Sequence, residues 1–166
     1  MKKFVKFLTN LSIHCFIFMI DINVHTLGYY VDRTFTAMVK YLNYQLKEKG
    51  LDIQHSQFTV LMVVAHNEGI NQSKIAKYVD RDRASVSRNL NYLEEKGYIE
   101  RKFDGGCKNF IYLTEKGKEI LPIILEIAEE DTINTLKGFS PKKCKEIFKI
   151  LTQMYINISS ATPEGN

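Results

Sequence analysis

From Leu27 to about Lys49, the apolar residues Leu27, Val31, Phe35, Met38, Leu42 and Leu46 recur at steps of three and four, which predicts an amphipathic helix. Gly50 stops it, and Leu51-Asp52-Ile53 forms a short connection. A second helix is predicted from about Ser56 to His66, where Phe58, Val60, Leu61, Val63 and Val64 crowd more than one face and so demand burial on most sides. Asn67-Glu68-Gly69 breaks that pattern. Asn71 then stands at the N-cap position of a short helix over Gln72-Ser73-Lys74-Ile75-Ala76-Lys77-Tyr78-Val79. After Asp80-Arg81, Asp82 caps a helix running from Arg83 to Lys96, with Val86, Leu90 and Leu93 on one face and Gly97 as its left-handed stop.

Beyond Gly97 the period changes from helix to strand. Tyr98-Ile99-Glu100-Arg101-Lys102 and Asn109-Phe110-Ile111-Tyr112-Leu113 flank Asp104-Gly105-Gly106-Cys107, and two short β-prone runs around an Asp-Gly-Gly turn predict a hairpin. Thr114 and Glu115 open a further helix to about Leu136, carrying Ile120, Ile123, Ile124, Ile127, Ile133 and Leu136. Pro122 lies inside it and predicts a kink or a later start. Gly138 closes it, and Ser140-Pro141 caps a last helix from Lys142 to about Ile158, followed by a frayed tail over residues 159–166. That helix presents Ile147, Phe148, Leu151, Met154, Tyr155 and Ile158 as an apolar stripe with no evident partner inside a domain of this size.

The N-terminus complicates the picture. Met1-Lys2-Lys3 and the apolar stretch from Ile13 to Ile20 resemble the charged and hydrophobic parts of a secretory signal. Lys6, Asn10 and His14 interrupt it, no pair of small residues marks a cleavage point, and it falls short of the roughly 20 apolar residues a membrane helix needs. Residues 1–26 therefore read either as a helical extension that packs on a partner or as a stretch translated upstream of a natural start at Met19, with no membrane role.

Composition narrows the class further. At 166 residues with 45% hydrophobic and 25% charged side chains, the chain suits one globular domain with helical extensions and leaves no room for two enzymatic domains. The net charge of +4 favours approach to polyanions. Acids outnumber bases only in the C-terminal third, which is thus the part least suited to DNA. Cys15, Cys107 and Cys144 are an odd number, far apart, and form neither a disulfide framework nor a metal-ligand spacing, which fits reduced thiols in the cytoplasm. No cofactor is implied. His14, His25, His55 and His66 are scattered, and Gly105-Gly106 lacks the lysine and following helix of a phosphate loop, so no catalytic constellation is present.

Two short helices joined by a tight turn and followed by a hairpin match a winged helix-turn-helix, whose second helix enters the major groove of DNA. With Val86, Leu90 and Leu93 turned inward, Arg83, Ala84, Ser85, Ser87, Arg88 and Asn91 remain for the outer surfaces. Ala84 and Ser85 are small enough to let the helix approach base edges, and Arg88 is suited to a bidentate pair with guanine. Arg83, with Ser73 and Lys74 on the preceding helix, is placed for phosphate. A winged domain serving only as a protein-interaction module is the competing reading, but such a surface should be apolar rather than rich in arginine and serine.

The chain here resembles the MarR-type (multiple antibiotic resistance regulator) transcriptional regulators. The resemblance is carried by Gln57-Phe58-Thr59-Val60-Leu61, Ser73-Lys74-Ile75-Ala76, Asp82-Arg83-Ala84-Ser85-Val86-Ser87-Arg88, Leu93-Glu94-Glu95-Lys96-Gly97-Tyr98-Ile99-Glu100-Arg101 and Leu113-Thr114-Glu115-Lys116-Gly117. It implies a mainly α fold with a small β-hairpin wing, in which a winged helix-turn-helix is flanked by N- and C-terminal dimerisation helices. The corresponding division is 27–55 for the first dimerisation helix and connection, 56–114 for the DNA-binding region and 115–158 for the C-terminal dimerisation helices. It further implies a homodimer on a pseudo-palindromic operator of double-stranded DNA, and a repressor released by a small-molecule effector. Ala84, Ser85 and Arg88 fall on the family's base-contacting positions and Arg83 on a backbone-contacting one. Some members sense oxidants through a cysteine near the first dimer helix, for which Cys15 is the counterpart. The wing departs from the family. Its usual Asp-x-Arg tip is replaced by Asp104-Gly105-Gly106-Cys107-Lys108-Asn109, which leaves Lys102 and Lys108 as the wing's phosphate contacts.

Overall fold

In the computed structural model, which describes residues 26–103, 105 and 109–161, helices and a small sheet follow one another in the expected order. Helix α1 spans Leu27–Glu48, α2 His55–His66, α3 Gln72–Val79 and α4 Arg83–Glu95. Strands β2 (Ile99–Phe103) and β3 (Asn109–Leu113) form the hairpin, and α5 (Glu115–Thr135) and α6 (Pro141–Ala161) complete the chain. The expectations for the N-terminal extension, Cys15, Cys107, Lys108 and the last five residues lie outside the described residues.

The helix boundaries follow from side chains that satisfy otherwise orphaned backbone groups. The Lys74 amide donates to Asn71 Oδ1 at 3.0 Å to open α3. The Ser85 amide donates to Asp82 Oδ1 at 2.8 Å to open α4, and the Gly117 amide donates to Thr114 Oγ1 at 3.0 Å to open α5. At the end of α4, Gly97 adopts φ +75°, which lets the amides of Gly97 and Tyr98 donate back to the carbonyls of Glu94 and Leu93, each at 2.9 Å. This pair of bonds is the Schellman arrangement. It turns the chain from α4 straight into β2, so the end of one element sets the position of the next.

Three expectations are corrected. A two-residue strand β1, Ile70–Asn71, precedes α3 and pairs antiparallel with β3, Ile70 opposite Ile111 and Asn71 opposite Phe110, giving the sheet order β1-β3-β2. Two residues are too few to show an alternating pattern, and the sequence offered only the cap that follows them. Pro122 does not delay the start of α5. The Thr114 cap sets it at Glu115 and the proline is accommodated at an exposed position within the helix. Helix α6 continues through Ser159 and Ser160 to Ala161, with Ser160 Oγ donating to the Asn157 carbonyl at 3.1 Å.

The core gathers under α4. Val86, Leu90 and Leu93 meet Leu61 and Val64 from α2, Ile75 from α3, Ile99 and Ile111 from the sheet, and Ile124 and Ile127 from α5, all almost wholly buried. Truncation of such a side chain costs about 2–5 kcal/mol, so the orientation of α4 is among the most firmly held features of the fold. Helix α1 contributes to this core only through its C-terminal end, at Leu42 and Leu46. A ladder of polar contacts ties it to α5: Asn134 Nδ2 donates to the Tyr41 hydroxyl (2.8 Å), Gln45 Nε2 to Glu130 Oε2 (2.7 Å) and Lys49 Nζ to Glu126 Oε1 (3.1 Å). Each turn forward on α1 meets a turn backward on α5, so the two helices run antiparallel. In α6 no residue is buried.

Candidate nucleic-acid interface

The inward anchoring of Val86, Leu90 and Leu93 decides what α4 shows to solvent. Arg83, Ala84, Arg88 and Asn91 are exposed, and Ala84, Arg88 and Asn91 share one face because they are spaced by four and three residues. Ser87 is half-buried between this face and the core. Ser85 is half-buried too and lines a cleft shared with Phe35 of α1, His55 of α2 and Asn89 of α4 rather than standing out with its neighbours.

Ser73 and Lys74 are exposed at the start of α3. Together with Lys77, Arg83 and Asn109 they line an open concavity of about 550 Å³, which brings the N-terminal turns of both helices and the start of β3 to one place. Gln72 Nε2 donates to the Arg83 carbonyl at 3.1 Å and straps α3 to α4 across it. Three cationic side chains around a concavity at helix N-termini suit an anionic phosphate. Sequence reasoning missed Lys77 and Asn109. Lys77 stands one turn after Lys74, so helical spacing alone could have found it, whereas Asn109 reaches the concavity only through the fold of the sheet.

The wing is braced against α4 by Arg101. Its guanidinium forms an ion pair with Glu94 and donates from Nη2 to Asn91 Oδ1 at 2.7 Å. Partly exposed ion pairs contribute little stability, so the consequence is chiefly geometric. The Asn91 carbonyl oxygen is occupied from behind, which leaves its amide N–H groups for the outer face. Lys102 alternates to the opposite side of β2. There it lies 2.8 Å from Glu100 Oε1 and 4.9 Å from the centre of the Tyr112 ring, and its ammonium is held above the ordinary lysine range, first by the Glu100 hydrogen bond. The wing root is clamped from α5, where Thr114 Oγ1 donates to the Gly97 carbonyl and Lys116 Nζ to the Lys96 carbonyl at 2.7 Å.

Asp82 holds the start of α4 in an acid-sensitive way. The Ser85 amide lowers its carboxyl below the ordinary aspartate range, aided by the Ala84 amide and Arg88 and opposed by partial desolvation. Because the folded value is the lower one, the stabilisation is complete above the unfolded value of about 3.9 and is lost as pH falls through the folded value. Asp82→Asn keeps an acceptor without a proton equilibrium. Thermal melts at about pH 6 and about pH 2.5 should show wild type losing more of its melting temperature than the variant, and equal losses would count against this role.

Residues 50–106 match the family model described as the MarR family. An HTH-type transcriptional regulator of Bacillus subtilis (strain 168), YybA, is 31% identical over 112 residues, covering 66% of this chain and 75% of its own length. This chain belongs to the MarR family. Among solved structures, the transcriptional regulator SlyA is similar at 29% identity with a TM-score of 0.76, covering 82% of this chain and 96% of its own. A MarR transcriptional regulator from Methanosarcina mazei Go1 is similar at 26% identity with a TM-score of 0.73, covering 82% and 91%. The chain is thus a MarR-family transcriptional regulator with a DNA-binding winged helix. Among the described residues no helix is long and apolar enough to cross a membrane.

Proposed function

We propose that this MarR-family protein is a homodimeric, sequence-specific repressor that binds a pseudo-palindromic operator through α4 of each protomer and is released by a small anionic effector. The observation that carries the reading is the face of α4: Ala84, Arg88 and Asn91 stand exposed in one row on a helix whose opposite side is locked into the core. Arg88 is suited to a guanine edge, Ala84 to a thymine methyl, and the amide N–H groups of Asn91 to a base acceptor. Ser73, Lys74, Lys77 and Arg83 take the flanking phosphates. Ser85 and Ser87, half-buried, contribute less directly.

Release by an effector is supported by the cleft of about 440 Å³ in which Phe35 of α1, His55 and Thr59 of α2, Arg81 of the α3–α4 turn and Ser85 and Asn89 of α4 converge. A ligand there touches the first helix and the recognition helix at once, so binding can shift one against the other. Burial and then the nearby Arg81 lower the pKa of His55, against the pull of Asp131, which favours the neutral imidazole and leaves Arg81 as the cleft's cation. An anion of modest size with an apolar part is the matching chemistry.

The test is binding of purified protein to duplexes from the DNA upstream of its own gene and to random duplexes, over a range of salt concentrations. Arg88→Ala should lower the preference for the specific duplex by roughly 10- to 100-fold while leaving random-duplex affinity nearly unchanged. Equal binding of wild type and variant to both duplexes would remove sequence reading and favour a protein-interaction module instead.

A further inference from the structure

Phe103, the last residue of β2, is 66% exposed. It stands at the outer end of an edge strand, next to the exposed cation Lys102. Its direction follows from the register of the sheet. Phe103 lies directly opposite Asn109, and directly opposed residues of an antiparallel pair share a face. Asn109 lines the concavity formed with Ser73, Lys74, Lys77 and Arg83, so Phe103 is on the DNA side of the wing. The same conclusion comes from its own strand: Arg101, two residues back and on the same face, reaches Asn91 on α4. Phe103 therefore stands about 7 Å further out along β2 than the residue that touches the recognition helix. Lys102, the exposed cation beside it, is on the other face and engaged by Glu100 and Tyr112.

We infer that Phe103 is a nucleic-acid contact of the wing, an aromatic side chain that packs into the minor groove beside the major groove occupied by α4. This rests on the DNA-binding reading of α4. Apolar side chains are used in minor grooves to press on sugars and partly unstack base steps, and they need no phosphate charge. The wing then adds affinity that salt does not screen, in contrast to the lysines and arginine of the concavity.

The duplex for the test is one enriched from a random pool by the full-length wild-type protein. Phe103→Ala should bind it roughly 10-fold more weakly with the same slope of affinity against salt. Phe103→Tyr should restore most of the loss, and Lys74→Ala should flatten the salt slope. Replacing flanking adenines with 2,6-diaminopurine adds an amino group to the minor groove and leaves the major-groove pattern intact. That substitution should weaken wild type and leave Phe103→Ala unaffected. If Phe103→Ala binds as wild type does, or if diaminopurine weakens both equally, the inference is overturned while the role of α4 stands. If wild type enriches no sequence at all, the reading of α4 fails and this inference with it.

Discussion

Gly117→Ala is expected to destabilise the protein by about 3 kcal/mol, more than a typical surface change by several-fold. Gly117 lies in the first turn of α5, buried beneath the end of α4, and a Cβ built there would stand 2.0 Å from the backbone carbonyl oxygen of Tyr98. That oxygen cannot swing aside as a flexible side chain would, because it accepts the Thr114 amide at 3.1 Å and belongs to the turn set by Gly97. The added methyl must push α5 away from the root of the wing, breaking the Thr114 and Lys116 bonds to Gly97 and Lys96 as it does so. Gly28→Ala is the matched control. It sits in α1 with only Thr26 Oγ1 within 4 Å among the described residues, at 3.8 Å, so alanine there should add about 0.5–1 kcal/mol through helix propensity. Urea unfolding at one protein concentration separates the two. Coincident midpoints for Gly117→Ala and wild type would show that the close approach is not rigid.

The double substitution Phe148→Asp, Leu151→Asp is expected to yield a monomer and to weaken operator binding by at least about 100-fold. Helix α6 has 21 residues and none is buried. Phe148, Leu151, Tyr155 and Ile158 are exposed along one side of it, and Leu27, Val31 and Phe35 are exposed along the N-terminal half of α1. Isolated helices of this length are marginal in water and take most of their stability from a packed apolar face. Two such faces on helices at opposite ends of the described chain match a self-complementary contact between two copies, and a twofold partner would set two recognition helices about one DNA turn apart. Two carboxylates in that seam would have to be buried unpaired or keep the chains apart. Both substitutions lie outside the core, so a monomer should keep the winged-helix fold, and only α6, deprived of its packed face, should lose helical content. Sedimentation equilibrium, circular dichroism and duplex binding on the same sample test the idea. A variant that remains dimeric, or a monomer that binds the operator as tightly as wild type, would count against it.

The elements readable in the sequence were those whose cause is local. Asn71, Asp82, Thr114 and Ser140 each stand at a cap, and each opens the helix that its position predicts, because the hydrogen bond spans only two or three residues. Gly97 is similar: the left-handed stop requires nothing from elsewhere in the chain. The stripe of Val86, Leu90 and Leu93 announced which side of α4 faces inward, since a 3.6-residue period allows few alternatives. From that one fact the exposure of Arg83, Ala84, Arg88 and Asn91 follows.

What failed to show was whatever depends on two segments meeting. Strand β1 exists because Ile70 and Asn71 find β3 some forty positions later, and nothing in two residues signals that pairing. Ser85 appeared equivalent to Ala84 until the approach of α1 and α2 made a cleft beside it. Lys102 and Arg101 looked like two neighbouring cations of a strand, and the sheet's alternation sets the lysine beside Glu100 and Tyr112 and the arginine against Asn91 and Glu94. By itself, then, the sequence determined the order of elements, their caps and the buried side of the recognition helix, all governed by neighbours within a turn or two. Which polar side chains stay exposed on α3 and α4, and that Phe103 shares the face of Asn109, was decided only by tertiary structure, because partners distant in sequence set which side chains are already engaged.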